Sequence, residues 1–158
     1  MLKPFAFLMI PKLLGFLLRI YQKLDKPGLD RRVYLTTKRK AGDVAVATFP
    51  YSDNVNTVTG EIHFSETEDK KVTCSGQMNS GFQNTHPDNF DYVIVDKDDK
   101  IVKDLTEKLS SVIEITVPGT APFTYEFTDF SIDEIVGNWF VVRRRSYVEA
   151  GKAPIKKA

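Results

Sequence analysis

The chain is poor in the residues that do most enzyme chemistry. In 158 residues there is one cysteine, Cys74, and there are two histidines, His63 and His86. A lone thiol excludes an internal disulfide and removes the usual mark of an oxidising compartment. The histidines lie 23 residues apart and neither has a cysteine at ligand spacing, so a soft-metal site would need a chance meeting of Cys74, Met78, His63 and His86 in space. No Gly-rich phosphate loop, Ser/His/Asp order or dinucleotide fingerprint occurs. At 42% hydrophobic and 27% charged residues, the composition excludes a disordered chain, a collagen repeat and a multi-span membrane protein. The length suits one domain with a real core and a short appendage.

Charge of one sign is also missing, locally. The first forty residues carry ten basic groups against only Asp25 and Asp30, whereas the remainder carries twelve basic and nineteen acidic groups. A near-neutral total therefore conceals two physically different parts, one apolar and basic, the other acidic and rich in Thr, Val and Phe.

The first part reads as a helix over 1–27. From Phe5 to Leu18 the only charge is Lys12, but these fourteen residues fall short of the ~20 that span a bilayer core. At ~100° per residue, Lys12, Arg19, Lys23 and Lys26 share a stripe about 60° wide. Phe5, Phe7, Ile10, Leu13, Leu14, Leu17 and Ile20 cover the remaining surface, and Pro27-Gly28 ends the helix. Such a cylinder needs more cover than one small sandwich supplies, so a bilayer interface or neighbouring subunits are expected to contact it. A cleaved secretory signal, leading to a secreted binding module, is the alternative, although no small-x-small cleavage site precedes Asp25. The acid-poor basic start also resembles a mitochondrial import signal, and the mitochondrial inner membrane is the expected location. A basic linker, 28–42, follows. Its Arg31 and Arg32 suit anionic lipid or a partner, and nucleic acid is not expected.

From residue 43 to 145 the pattern is β. Short β-branched and aromatic runs recur between turn signals: Val44–Phe49, Thr57–Phe64, Lys71–Met78, Phe90–Val95, Ile101–Leu105, Val112–Val117, Phe123–Phe127 and Asn138–Arg143. Val58, Gly60, Ile62 and Phe64 alternate with Thr59, Glu61, His63 and Ser65, as in a strand with one buried face. Only Thr106–Leu109 hints at a helical turn. Strands at this spacing predict an antiparallel sandwich or barrel, with 146–158 a C-terminal tail free to wrap a partner.

Three segments together resemble the copper/zinc superoxide dismutases. Val44-Ala45-Val46-Ala47 followed by Val58-Thr59-Gly60-Glu61-Ile62-His63-Phe64 is similar to that family's first hairpin. Ile135-Val136-Gly137-Asn138-Trp139-Phe140-Val141-Val142-Arg143 is similar to its Ile-Ile-Gly…Val-Val-His strand. Tyr92-Val93-Ile94-Val95-Asp96-Lys97-Asp98-Asp99 lies on its Phe-His-Val-His-Glu-Phe-Gly-Asp. The resemblance implies a mainly β fold: an antiparallel Greek-key β-sandwich, immunoglobulin- or superoxide dismutase-like, here with an N-terminal amphipathic or membrane-embedded helix. It also places Val93, Val95 and Arg143 where the family holds copper histidines. No counterpart of the histidine-bearing zinc loop or of the final strand is evident, and one cysteine cannot form the family's disulfide. Valine has no lone pair to give a metal, so dismutase activity is not implied.

Other candidates have plainer readings. Counted as a calcium loop, the run from Asp96 has Lys100 where an oxygen is needed and Ile101 where a glycine is needed, so it reads as a charged hairpin turn. Asp129, Asp133 and Glu134 read as solvated carboxylates. Arg143, Arg144 and Arg145 form the one dense basic spot in the acidic part, suited to a phosphate, a lipid headgroup or an acidic partner. The sequence predicts a non-catalytic, membrane-associated accessory subunit of a larger complex, with no cofactor and no catalytic or metal residues. A divergent dismutase-like metal-binding protein is the further alternative.

Overall fold

The computed structural model describes residues 42–145 and 148–158. The expected helix over 1–27 and nearly all of the expected linker lie outside them, and with these Lys12, Arg19, Lys23, Arg31, Arg32, Phe5, Phe7, Ile10, Leu13, Leu14, Leu17 and Ile20. Among the described residues no helix is long and apolar enough to cross a membrane.

Among the described residues ten strands form in chain order. They are β1 (Val44–Phe49), β2 (Thr59–Glu66), β3 (Val72–Ser80), β4 (Phe90–Val95), β5 (Ile101–Asp104), β6 (Ile115–Thr116), β7 (Gly119–Thr120), β8 (Phe123–Phe127), β9 (Trp139–Arg144) and β10 (Glu149–Lys157). Among the described residues two short α-helices intervene, α1 (Thr106–Ser110) and α2 (Ile132–Ile135), with a 3-10 turn at Pro87–Asn89. Eight strands make one sheet in the order β5-β4-β9-β10-β1-β2-β3-β8, all antiparallel, while β6 and β7 form a small ladder apart. The sheet folds over on itself, because Phe49 of β1 and Phe64 of β2 each touch Phe140 of β9, with ring centroids 6.1 and 6.2 Å apart. The enclosed core also holds Ile62, Tyr92, Ile94, Leu105, Phe127 and Ile155. This is the antiparallel sandwich that the alternating pattern predicts.

Local departures from the sequence reading have physical causes. Gly60 sits at φ +128° beside a bulge in the β2–β3 ladder, and a Cβ there would meet the Gln77 carbonyl at 2.4 Å. The bulge breaks the alternation, so Thr59 is buried although the pattern places it outside. The expected strand Val112–Val117 shrinks to Ile115–Thr116, and its end residues Val112 and Val117 are exposed. α2 has no helix-period run to mark it in the sequence. It is set by Glu66, whose carboxylate accepts the Ile132 amide at 3.1 Å, and by Glu134, whose carboxylate accepts the Ser131 amide at 3.0 Å.

The C-terminal segment departs furthest from the expected tail. Residues Glu149–Lys157 form β10, a central strand that pairs with β9 on one side and β1 on the other. Ala150, Gly151, Ala153 and Ile155 are buried, so this stretch is not free to wrap a partner.

Candidate functional site

The positions that the resemblance gives to copper ligands lie on the outer face of β4 and β9. Alternation along β4 sends Phe90, Tyr92 and Ile94 into the main core and Val93 and Val95 to the other side. Across the ladder Val93 faces Val141, Val95 faces Trp139, and Asp91 faces Arg143. Val93, Val95 and Val141 form a second buried apolar cluster with Trp139 packed against it. On the flanks, Asp104 and Ile101 of β5 stand opposite Val93 and Val95, while Lys152 of β10 stands opposite Val141.

Charge crosses this face. The Lys152 ammonium lies 5.3 Å from the centre of the Trp139 ring and donates to the Asp99 carboxylate at 2.5 Å. Asp99 is in the β4–β5 turn at φ +59°, a conformation that Asp tolerates better than most residues. The same turn is tied by Asp96, whose Oδ1 accepts the amides of Asp98 and Lys100 at 2.8 and 3.0 Å. The Lys152 hydrogen bond holds the Asp99 carboxyl below its usual range, the Lys152 charge adds to this, and Arg143 contributes at longer reach. The segment is therefore the charged hairpin turn that the sequence predicts. The other acidic positions of the calcium count are engaged or placed elsewhere: Asp104 accepts the Thr106 amide at 3.0 Å and Glu107 belongs to α1.

The donor set does not fit copper or zinc. Val93 and Val95 offer no lone pair, and Arg143 brings a positive charge in place of an imidazole. Among the described residues no three His, Cys, Asp or Glu side chains converge as a metal would require. His63 is exposed on β2 with its Nε2 3.3 Å from Glu61, and His86 is exposed in the β3–β4 loop. Cys74 is buried in the core, and burial pushes its thiol pKa strongly upward, which suits an inert packing residue.

Arg143, Arg144 and Arg145 do not make one basic spot. Successive strand residues point to opposite faces, and the structure separates the three accordingly. Arg143 lies on the outer face. Arg144 donates through Nη2 to the Asn56 and Gly81 carbonyls at 2.6 and 3.2 Å, and its Nε is buried without a partner. Arg145 is exposed at an open cleft of about 640 Å³ that it shares with Asp88, Asp104 and Glu107. Three carboxylates around one guanidinium repel an anionic ligand, and Arg144 is already committed to main-chain carbonyls. The carboxylates Asp129, Asp133 and Glu134 are exposed, and each is paired, with Lys108, Lys157 and Lys103 respectively. Sequence reasoning missed the pairing of Lys152 with Asp99, because the two lie 53 residues apart and neither belongs to a local motif.

No family model matches the chain, and no curated protein sequence matches it. Solved structures do. The chain is similar to Candida albicans superoxide dismutase 5 in its copper(II) form, with a TM-score of 0.57 and 15% identity over 74% of this chain and 93% of that one. One single-substitution variant of the same dismutase gives a TM-score of 0.58 at 15% identity, over 75% and 93% of the two chains. Another gives 0.54 at 14%, over 73% and 92%. The fold is superoxide dismutase-like.

Proposed function

We propose that this dismutase-like sandwich is a non-catalytic accessory subunit of a membrane protein complex, attached through residues 1–27. The observation that carries the reading is that Val93, Val95 and Arg143, at the positions the sequence resemblance gives to copper histidines, stand on well-formed, paired strands and bring no metal donor. A fold kept without its metal donors is left with shape and surface, which suits a structural or binding role. The membrane half of the proposal is supported by the apolar, basic start of the sequence, since anionic headgroups attract a lysine and arginine stripe and lipid covers its apolar flanks. Arg31 and Arg32 are proposed to contact anionic lipid or a neighbouring subunit, and the mitochondrial inner membrane is the proposed site.

The test is native purification of the full chain from membranes in mild detergent, with identification of the co-eluting subunits. Co-elution with a defined membrane complex is the expected result. A chain that remains soluble and alone after lysis overturns the proposal. The likeness to a copper dismutase favours one second reading, a divergent metal-binding protein, for which purified chain would carry stoichiometric copper or zinc and lose stability under chelation.

A further inference from the structure

We propose that the outer face of β4, β9 and β10 is a self-plugged site: Lys152 supplies its positive charge internally, Asp99 neutralises that charge, and the face fixes its own turn while taking up no external metal cation. The inference goes beyond the accessory-subunit reading and stands whether or not the chain meets a membrane.

Three features of the face point the same way. Its floor is Val93, Val95 and Val141, each buried, so a divalent ion there would lose its hydration and gain no donor. Its cover brings a cation of its own. Lys152 reaches from β10 past Trp139 on β9 to the turn that follows β4, so one side chain ties three successive strands of the sheet. Arg143 stands on the same face between Asp91 and Glu149 in the ladder, a fixed positive charge set among the carboxylates that a cation would otherwise seek. Two of the bordering carboxylates are engaged, Asp99 with Lys152 and Asp104 with the Thr106 amide. In a metal-bearing site the ion would hold neighbouring strands and turns together. Here the ammonium of Lys152 does so.

The test uses the full chain, dialysed separately with copper(II) and zinc(II), with metal counted per chain and with amide exchange and valine methyl signals followed by NMR. No stoichiometric metal at this face and an unchanged Tm under chelation are expected. Lys152→Met, which keeps an apolar stem over Trp139, is expected to speed exchange of the Asp98 and Lys100 amides roughly tenfold by freeing the turn, and Asp99→Asn should do the same. Lys108→Met removes an ion pair of similar exposure that also lies over a ring, that of Phe127, and should leave those amides unchanged. Paramagnetic broadening by copper confined to His63 or to residues before 42 leaves the face empty, as expected. Broadening of the Val93, Val95 and Val141 methyls overturns the proposal, as does unchanged exchange in both Lys152→Met and Asp99→Asn.

Discussion

Arg144 and Arg145 are adjacent in sequence and opposite in consequence. The first spends its guanidinium on two loop carbonyls, while the second is exposed beside carboxylates. Arg144→Met should therefore destabilise the protein by about 1.5–3 kcal/mol, the scale of lost charged hydrogen bonds, and Arg145→Met should stay within about 0.5 kcal/mol. Urea titration of both variants measures the difference. Cys74 and Tyr92 carry a pH dependence. Burial raises both pKa values above their ordinary 9.0 and 10.0, so on unfolding each group ionises at a lower pH than it does in the native state. The stability they contribute is whole below pH 9 and declines as the pH rises beyond it. In Cys74→Ala the decline should begin later, near the ordinary tyrosine value of 10.0, which thermal melts across an alkaline series would show. Asp99, Asp129 and Glu134 act in the opposite direction. Their depressed pKa values give a contribution present above the ordinary carboxylate range and lost in acid, small and salt-screened because all three are exposed.

Among the elements, β1, β4 and β8 coincide with the runs Val44–Phe49, Phe90–Val95 and Phe123–Phe127, because each is bounded by turn residues and filled with strongly β-forming side chains. β10 was illegible for a reason its packing supplies. It consists of Glu, Ala, Gly, Lys, Ala, Pro, Ile, Lys and Lys, a composition that reads as tail since β propensity mostly records large side chains on a pleated surface. The core requires small residues there: a Cβ on Gly151 would meet Val58 at 2.6 Å and the Phe49 ring at 3.1 Å. Even Pro154 fits, being paired only with Trp139, since the β1 ladder stops at Ala47 and Ile155. Gly151→Ala in a loose tail would be neutral or stabilising by roughly 0.4–1 kcal/mol. In β10 it should cost about 1–3 kcal/mol through overpacking, and the sign of the change in urea midpoint decides the matter. The candidate site divides along the same line. That Val93, Val95 and Arg143 offer no metal donor at the positions the resemblance gives to copper ligands is legible in sequence, whereas Lys152 reaching Asp99 depends on a long-range register that no local window contains.

For the whole molecule, the uneven charge is the property that a partner would sense first. Full-length chain should bind vesicles containing phosphatidylserine more tightly than neutral ones, and salt should weaken that binding as the Debye length shrinks. Reversing Lys12 and Lys23 to Glu should weaken it at least tenfold, at ~1 kcal/mol for each basic residue at a charged surface. Vesicle flotation at low and high salt reads both effects, and equal binding to neutral and anionic vesicles would contradict them. The placement of β10 between β1 and β9 has a different consequence, one of timing. Ala45 pairs with Lys157, 112 residues further along, so a ribosome releases the first strand long before the neighbour that completes its pairing. Until then β1 exposes an open hydrogen-bonding edge, which needs shielding from other nascent chains. Contacts so distant in sequence also place refolding in the millisecond-to-second range of slow β topologies.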